Sequence, residues 1–153
     1  MYKKILVALE NSAADESLIP HVAELAKQLK SELLLLHVAD GFAARNFNQL
    51  KLAESEEIKA DRAYLEIVAE KCRQHGLTVA TQLAMGEPPK EILKAAEQGK
   101  CDLIAMASHG HRLIGDLIFG STIHEVRHHT SIAVLLIRAG QKLKNKNSPQ
   151  KNP

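Results

Sequence analysis

Short apolar runs alternate with longer amphipathic segments along the whole chain. Five of the runs have the length and composition of buried β-strands. Each is separated from the next by a segment that carries apolar residues at helical spacing. The predicted strands are residues 4–9, 32–39, 77–84, 102–108 and 131–137.

The first predicted helix follows the first strand and contains Pro20. Proline is tolerated in the first turn of a helix but disrupts its interior. The regular helix is therefore expected to begin near Ser17, or to kink at Pro20. Its apolar positions are Leu18, Val22, Leu25 and Leu29.

Three more helices fill the remaining connections. Residues 42–47 read as a loop, and a long helix then runs from about Gln49 to His75 and ends at Gly76. Two prolines in the first turn of the next segment favour a helix that stops at Gly99. A loop with Gly110 precedes the last helix. The apolar side of the long helix is formed by Ile58, Leu65, Val68 and Cys72.

Repeated alternation of strands and helices predicts an α/β fold with a parallel sheet covered by helices on both faces. The chain has 153 residues, of which 45% are hydrophobic and 25% charged, as in one ordinary globular domain. That domain is expected to span residues 1–140. In such sheets, ligands bind at the carboxyl ends of the strands, where the strand order reverses.

Charge is distributed unevenly between this domain and the end of the chain. Residues 141–153 contain four lysines and no acidic residue. Removing these four charges from the net charge of +2 leaves −2 for the body, which argues against a nucleic-acid-binding face. The end of the chain is expected to be a disordered basic tail, with contact to an acidic partner as the alternative.

The cysteines and the apolar runs bear on the compartment. Cys72 and Cys101 fit no C-x-x-C pattern, which is typical of reduced thiols in a reducing compartment. The N-terminal apolar run is too short for a signal peptide. No run approaches the roughly 20 residues of a membrane span. We therefore expect a cytoplasmic protein with no membrane contact.

The segment from His124 to His128 reads H-E-V-R-H and matches the zinc-protease signature H-E-x-x-H. A catalytic zinc needs a third protein ligand, and the chain has no Asp or Glu after Glu125. Ser131 replaces the glycine of the extended metzincin motif. Both histidines are expected beside the face that Val126 turns toward the sheet. We therefore predict no catalytic metal site.

The stretch before this motif is a candidate anion site. Gly110 follows the fourth strand, and Gly120 and Ser121 are expected at the start of the last helix, followed by Thr122. Glycine permits close approach of phosphate, and a helix N-terminus offers unpaired N–H groups. The alternative is that Gly110 only makes a turn and Ser121 only caps the helix. No Walker A motif and no G-x-G-x-x-G motif are present.

The sequence resembles the universal stress protein family from "YKKILVALENS" through "GEPPKEIL" and "CDLIAMASHG" to "GSTIHEVRHHTSIAVLLIR". The resemblance implies a three-layer, Rossmann-like sandwich of the adenine nucleotide alpha hydrolase type, with strand order 3-2-1-4-5. ATP-binding members carry G-x2-G-x9-G-[ST]. Gly110, Gly120 and Ser121 match this motif, whereas Ala107 replaces its first glycine.

The resemblance also implies which residues bind the nucleotide. Glu10 stands where the family has an aspartate at the end of the first strand, and it adds a methylene. The nucleoside is expected at Ala8, Leu9, Glu10 and Val38. ATP is the implied ligand, and Mg²⁺ would accompany its phosphates. The phosphates are expected at Met106, Ala107, Gly110, Gly120, Ser121 and Thr122.

The family resemblance further implies a homodimer. Residues 131–137 would form an edge strand with no charge or proline, and such an edge tends to pair with another chain. A covering loop is the alternative. The expected function is an ATP-binding regulatory protein in the stress response. A ligand-independent interaction protein is the alternative, favoured slightly by Ala107 and Glu10.

An enzyme is the third hypothesis. His109 and His111 lie in the loop after the fourth strand, but no paired base and nucleophile stand out. A loop histidine is usually solvated. Turnover, as ATP hydrolysis or self-phosphorylation, is therefore expected to be slow or absent.

Overall fold

The computed structural model describes residues 1–39, 56–109 and 117–140, with only the backbone for 117–119. The expected loop at 42–47, the start of the long helix near Gln49 and the basic tail at 141–153 lie outside these residues. So does Gly110. The remaining sequence-based expectations can be compared with the structure element by element.

Five parallel strands form one sheet in the order β3-β2-β1-β4-β5, which confirms the predicted fold class. The central strand β1 pairs with β2 on one side and β4 on the other. In the register, Leu6 lies between Leu34 and Ile104. The strands are β1 (Lys4–Leu9), β2 (Glu32–Ala39), β3 (Val79–Met85), β4 (Leu103–Ser108) and β5 (Ala133–Arg138).

The described helices cover both faces of this sheet. Leu18 of α1 and Leu65 of α2 pack against one face, and Ile92 of α3 and Val126 of α4 pack against the other. All four of these side chains are buried. The helices are α1 (Asp15–Leu29), α2 (Glu56–Gln74), α3 (Pro88–Gln98) and α4 (Leu117–His129).

Some predicted boundaries were wrong. Helix α1 begins at Asp15, two residues before Ser17, and continues past Pro20. Pro20 lies on the exposed side of α1, so its ring faces solvent rather than the core. Leu29, expected on the buried side, is 40% exposed in the last turn. Helix α4 already includes Leu117, the first described residue of that range, so Gly120 lies within the helix rather than at its start.

The end of α2 is as the sequence predicts. Gly76 has a φ of +82°, a conformation that favours glycine. Its N–H donates to Arg73 O over 2.9 Å, and the N–H of Leu77 donates to Cys72 O over 3.3 Å. These two bonds form a Schellman motif. The chain therefore turns sharply from α2 into β3.

Both cysteines are free and buried. Burial raises the pKa of the Cys72 thiol and of the Cys101 thiol, so both stay protonated at neutral pH. Among the helices of the described ranges, none combines the length and apolar character needed to cross a membrane.

Candidate functional site

A cavity of about 430 Å³ opens at the carboxyl ends of β1, β2 and β4. Its volume lies within the range of small-molecule sites in proteins. It stands at the point where the strand order reverses, since β1 is followed in space by β2 on one side and by β4 on the other. The lining residues are Ala8, Leu9, Glu10, Asn11, Leu36, His37, Val38, Ala39, Glu57, Asp61, Pro88, Ile92, Met106, Ala107 and Thr122.

Most of the residues expected to bind a nucleotide meet in this cavity. The three strand ends and α4 bring together Ala8, Leu9, Glu10, Val38, Met106, Ala107 and Thr122. Gly120 and Ser121 are exposed on α4 and do not line the cavity. Gly110 lies outside the described residues.

The turn after β1 is held by a buried carboxylate that sequence reasoning missed. Asp15 is 2% exposed and accepts hydrogen bonds from the backbone N–H groups of Glu10 (3.0 Å) and Asn11 (2.8 Å). The Tyr64 hydroxyl of α2 donates a third, over 2.5 Å. Burial, together with this bond to Asp15, raises the pKa of Tyr64. The three bonds fix the backbone that presents Glu10 to the cavity.

Glu10 contacts a histidine at the end of β4, the strand that pairs with β1. Oε2 of Glu10 lies 2.8 Å from Nε2 of His109, which directly follows β4, and 3.1 Å from the Ser12 hydroxyl. The His109 and Glu10 side chains are only 13% and 10% exposed. Burial raises the pKa of the Glu10 carboxyl, while the His109 bond and charge oppose the rise. The expectation of a solvated His109 was therefore wrong.

A polar corner closes the cavity on the side of α2. Nδ1 of His37 must carry a proton, because it lies 2.8 Å from Leu9 O, which can only accept. Nε2 of His37 lies 3.5 Å from Oδ1 of Asp61. The same Oδ1 accepts a bond from the Asn11 side-chain amide over 2.9 Å. This corner joins the ends of β1 and β2 to α2.

Asn11 of this polar corner has a φ of +57°, in the left-handed region that asparagine tolerates better than most residues.

The wall of the cavity opposite the polar corner is apolar. Leu36, Ile92 and Met106 are almost fully buried there and belong to the core between the sheet, α3 and α4. A ligand in this cavity would therefore meet hydrocarbon on one side and polar groups on the other, as is typical of small-molecule sites.

Helix α4 leaves space where a ligand could approach its backbone. Apart from its chain neighbours and the local helix backbone, no heavy atom of the described residues lies within 4 Å of a Cβ built on Gly120. Thr122, by contrast, is only 5% exposed and lines the cavity. The absence of a side chain at Gly120 is therefore not required by packing in the described part of the protein.

One signal in the sequence could have identified the α2 side of the cavity. Asp61 stands in the apolar stripe formed by Ile58, Leu65, Val68 and Cys72, at the same helical spacing. A carboxylate on a buried stripe needs a polar partner. His37, Asn11 and Glu57 carried no comparable signal, because their contacts depend on tertiary structure.

The structure places the H-E-V-R-H segment away from this cavity. His124 and His128 are exposed on α4, as expected, and Val126 faces the sheet. Within residues 1–39, 56–109 and 117–140, no group of three or more His, Cys, Asp or Glu residues could hold a metal ion. The described geometry offers no zinc-protease centre.

The fold and the cavity together define an α/β domain with a ligand site at its topological switch point. The model of the universal stress protein family matches residues 1–138, and the chain belongs to that family. It is 30% identical to the universal stress protein MJ0577 of Methanocaldococcus jannaschii over 158 residues, covering 90% of this chain and 96% of the relative. The solved structure of MJ0577 matches with a TM-score of 0.75 and 27% identity, covering 93% and 99% of the two chains.

Two further comparisons extend this picture. The chain is 28% identical over 148 residues to the universal stress protein YxiE of Bacillus subtilis, covering 90% of this chain and all of the relative. A universal stress protein from Archaeoglobus fulgidus, solved in complex with dAMP, matches with a TM-score of 0.66 at 21% identity, covering 89% and 98%. The latter match shows a shared fold.

Proposed function

We propose that this protein binds ATP in the cavity at the ends of β1, β2 and β4, and that it acts as a regulatory protein in the stress response. The observation that carries the proposal is the convergence of Glu10, Val38, Ala107 and Thr122 on one cavity of nucleotide-compatible volume. A relative of the same fold binds dAMP at an unspecified site. The sequence motif that includes Gly120 and Ser121 supports binding of the ATP phosphates next to this cavity.

The proposed orientation follows from the two walls. The base lies against the apolar wall near Val38 and Ala8, where hydrogen bonds to the strand backbone are in reach. The ribose lies toward Glu10. The phosphates extend toward the first turn of α4, whose dipole is positive at that end. Gly120 leaves room for a phosphate oxygen to approach the backbone.

Mg²⁺ would enter with the phosphates rather than as a resident ion. It prefers oxygen ligands and usually binds through one or two carboxylates together with substrate phosphates. Glu10 supplies carboxylate oxygens to the cavity lining. Bound in this way, the ion would neutralise part of the phosphate charge beside that carboxylate.

Isothermal titration of the full chain with ATP and Mg²⁺ tests the proposal. We expect one site per chain and weaker binding without Mg²⁺. The matched variants are Ala107→Leu, which fills the cavity, and Ala63→Leu, which lies on the exposed surface of α2 and outside the cavity lining. Absence of heat at millimolar ATP, or equal binding by wild type and Ala107→Leu, would contradict the proposal.

The second candidate function is a ligand-independent interaction protein. The bond between Glu10 and His109 favours it, because it occupies the carboxylate that would otherwise meet the ribose or the metal. Acid release of copurified nucleotide from freshly purified protein, followed by chromatography, separates the two candidates. In both, the protein is a regulator whose turnover of ATP is slow or absent.

We also propose that the protein is a homodimer formed through β5. The two edges of the sheet differ in protection. At β3, Arg73 donates to Val79 O over 3.1 Å and Glu66 accepts from Thr81 over 2.7 Å. Along β5, Leu136 is 37% exposed. Antiparallel pairing of two β5 strands about a two-fold axis would cover this apolar edge.

Sedimentation velocity tests the dimer. Leu136→Lys places a charge on edge strand β5 and should produce monomers. Gln82→Lys, at the matching place on the other edge strand, should leave the dimer intact. A wild-type chain that sediments as a monomer at all concentrations would rule out the β5 dimer.

A further inference from the structure

His124 and His128 form an exposed pair on one side of α4. They are four residues apart, which is about one helical turn. Their ring centroids lie 4.2 Å apart, with the ring planes inclined by 57°. Both residues are exposed to solvent. Two imidazole rings therefore converge on a rigid backbone, away from the nucleotide cavity.

We propose that this pair binds one divalent transition-metal ion as a two-histidine chelate, with water in the remaining positions. Imidazole nitrogen is a favourable ligand for Zn²⁺, Ni²⁺ and Cu²⁺. Two nitrogens bound to one tetrahedral zinc at about 2.0–2.1 Å lie roughly 3.3 Å apart. Rings whose centroids are already 4.2 Å apart reach that separation by side-chain rotation alone.

The neighbouring groups on α4 explain why the ion would have two protein ligands. Nδ1 of His129 lies 2.9 Å from Glu125 O and therefore donates to it. Oε2 of Glu125 lies 3.6 Å from the same Nδ1. Glu125 and His129 are about 100° round the helix from His124 and His128 respectively, so they interact with each other instead. With only two protein ligands, the ion exchanges with ions in solution. It stabilises the folded helix and does not act as a catalyst.

Binding at this pair has two thermodynamic consequences. The folded helix holds the two rings together, whereas the unfolded chain does not. The ion therefore stabilises the native state by an amount that rises with the logarithm of its concentration once that exceeds Kd. The ligating nitrogens must be unprotonated, so acid weakens binding. Neither consequence depends on whether the cavity binds ATP.

The test titrates chelator-treated full-length protein with NiCl2 at pH 7.5, by calorimetry and by thermal denaturation followed by circular dichroism. We expect one ion per chain and a Tm that rises with Ni²⁺ concentration. His124→Gln and His128→Gln should each weaken binding more than about tenfold, since loss of even an indirect partner of a ligand costs that much. His129→Gln is the matched control and should bind as the wild type does.

Two results would overturn the inference. One is a Ni²⁺ affinity of the wild type that is no higher than that of the double variant His124→Gln/His128→Gln. The double variant also measures how much Ni²⁺ binds elsewhere on the chain. The other is equal weakening by His129→Gln and His124→Gln. Electron paramagnetic resonance of the Cu²⁺ form gives an independent reading, in which two coupled nitrogens support the chelate and fewer contradict it.

Discussion

The two sides of the cavity are built in different ways. The turn after β1 is fixed by Asp15, which is 2% exposed and accepts three hydrogen bonds. The α4 side differs, because Gly120 is exposed there and, apart from its chain neighbours and the local helix backbone, no heavy atom of the described residues lies within 4 Å of a Cβ built on it. One side is thus organised before any ligand arrives, while the other leaves room for a ligand to complete it.

This difference has an energetic basis. Removing a buried acceptor leaves its donors unsatisfied and costs stability. An exposed glycine in a helix, by contrast, lowers stability relative to alanine. The β1 side therefore stabilises the folded state. Gly120 lowers the stability of the folded state, but it would let a ligand approach the helix backbone. Substitutions on the two sides should separate stability from binding.

The largest effect is expected for Asp15→Ala. The substitution leaves the N–H groups of Glu10 and Asn11 and the Tyr64 hydroxyl without their acceptor. We expect the free energy of unfolding to fall by about 2–4 kcal/mol, measured by urea denaturation. The matched control is Asp102→Ala, because Asp102 also accepts two backbone N–H bonds but is exposed. It should cost less than about 1 kcal/mol, and equal losses would contradict the comparison.

Gly120 should show the opposite pattern. Gly120→Val places a branched side chain where a phosphate would approach, and should weaken ATP binding by about ten- to a hundredfold through loss of charge-assisted hydrogen bonds. Calorimetry measures this change. Gly120→Ala should raise the free energy of unfolding by about 0.5–1 kcal/mol, since the helix gains an alanine. Unchanged ATP affinity in the valine variant would show that the phosphates lie elsewhere.

The smallest effect concerns the pH dependence at Glu10. Because burial raises its native pKa above the ordinary value of 4.5, protonation of Glu10 favours the folded state. This contribution is complete below pH 4.5 and is lost as the pH rises through the raised native pKa. Glu10→Gln cannot titrate. The wild type should therefore gain stability relative to the variant as the pH falls from 7 to 4, in urea denaturations at matched ionic strength.

A constant difference between the two proteins across that pH range would mean that Glu10 titrates normally. The result also bears on His109, because its bond and charge lower the pKa of Glu10 and oppose the rise. In the protein that retains Glu10, His109→Ala should therefore make the free energy of unfolding depend more strongly on pH, since the contribution that lowers the pKa of Glu10 is removed.

The sequence predicted the frame of the molecule better than the polar wall of the cavity. Strand β2 was placed at its observed limits, because "ELLLLHVA" is rich in leucine, with only Glu32 and His37 as polar residues. Gly76 marked the end of α2 through its conformational freedom. These features depend on local periodicity and backbone preference, both of which are visible in one stretch of sequence.

The polar wall depends on residues that are distant along the chain. Asp15 and Tyr64 are 49 residues apart, and Glu10 and His109 are 99 residues apart. No local pattern predicts such pairs. Only Asp61 indicated a polar contact in advance, because it is a carboxylate within an apolar stripe. The start of helix α4 was also predicted too late along the chain, because Gly120 and Ser121 resemble a helix start although Leu117 is already helical.

A crystal structure of the full chain grown with ATP and Mg²⁺ tests the central claim most directly. We expect the adenine beside Val38, the ribose toward Glu10, and the phosphates against the backbone at Gly120 and Ser121. Well-ordered crystals whose cavity stays empty at saturating nucleotide, or which hold the nucleotide at another surface, would contradict the account.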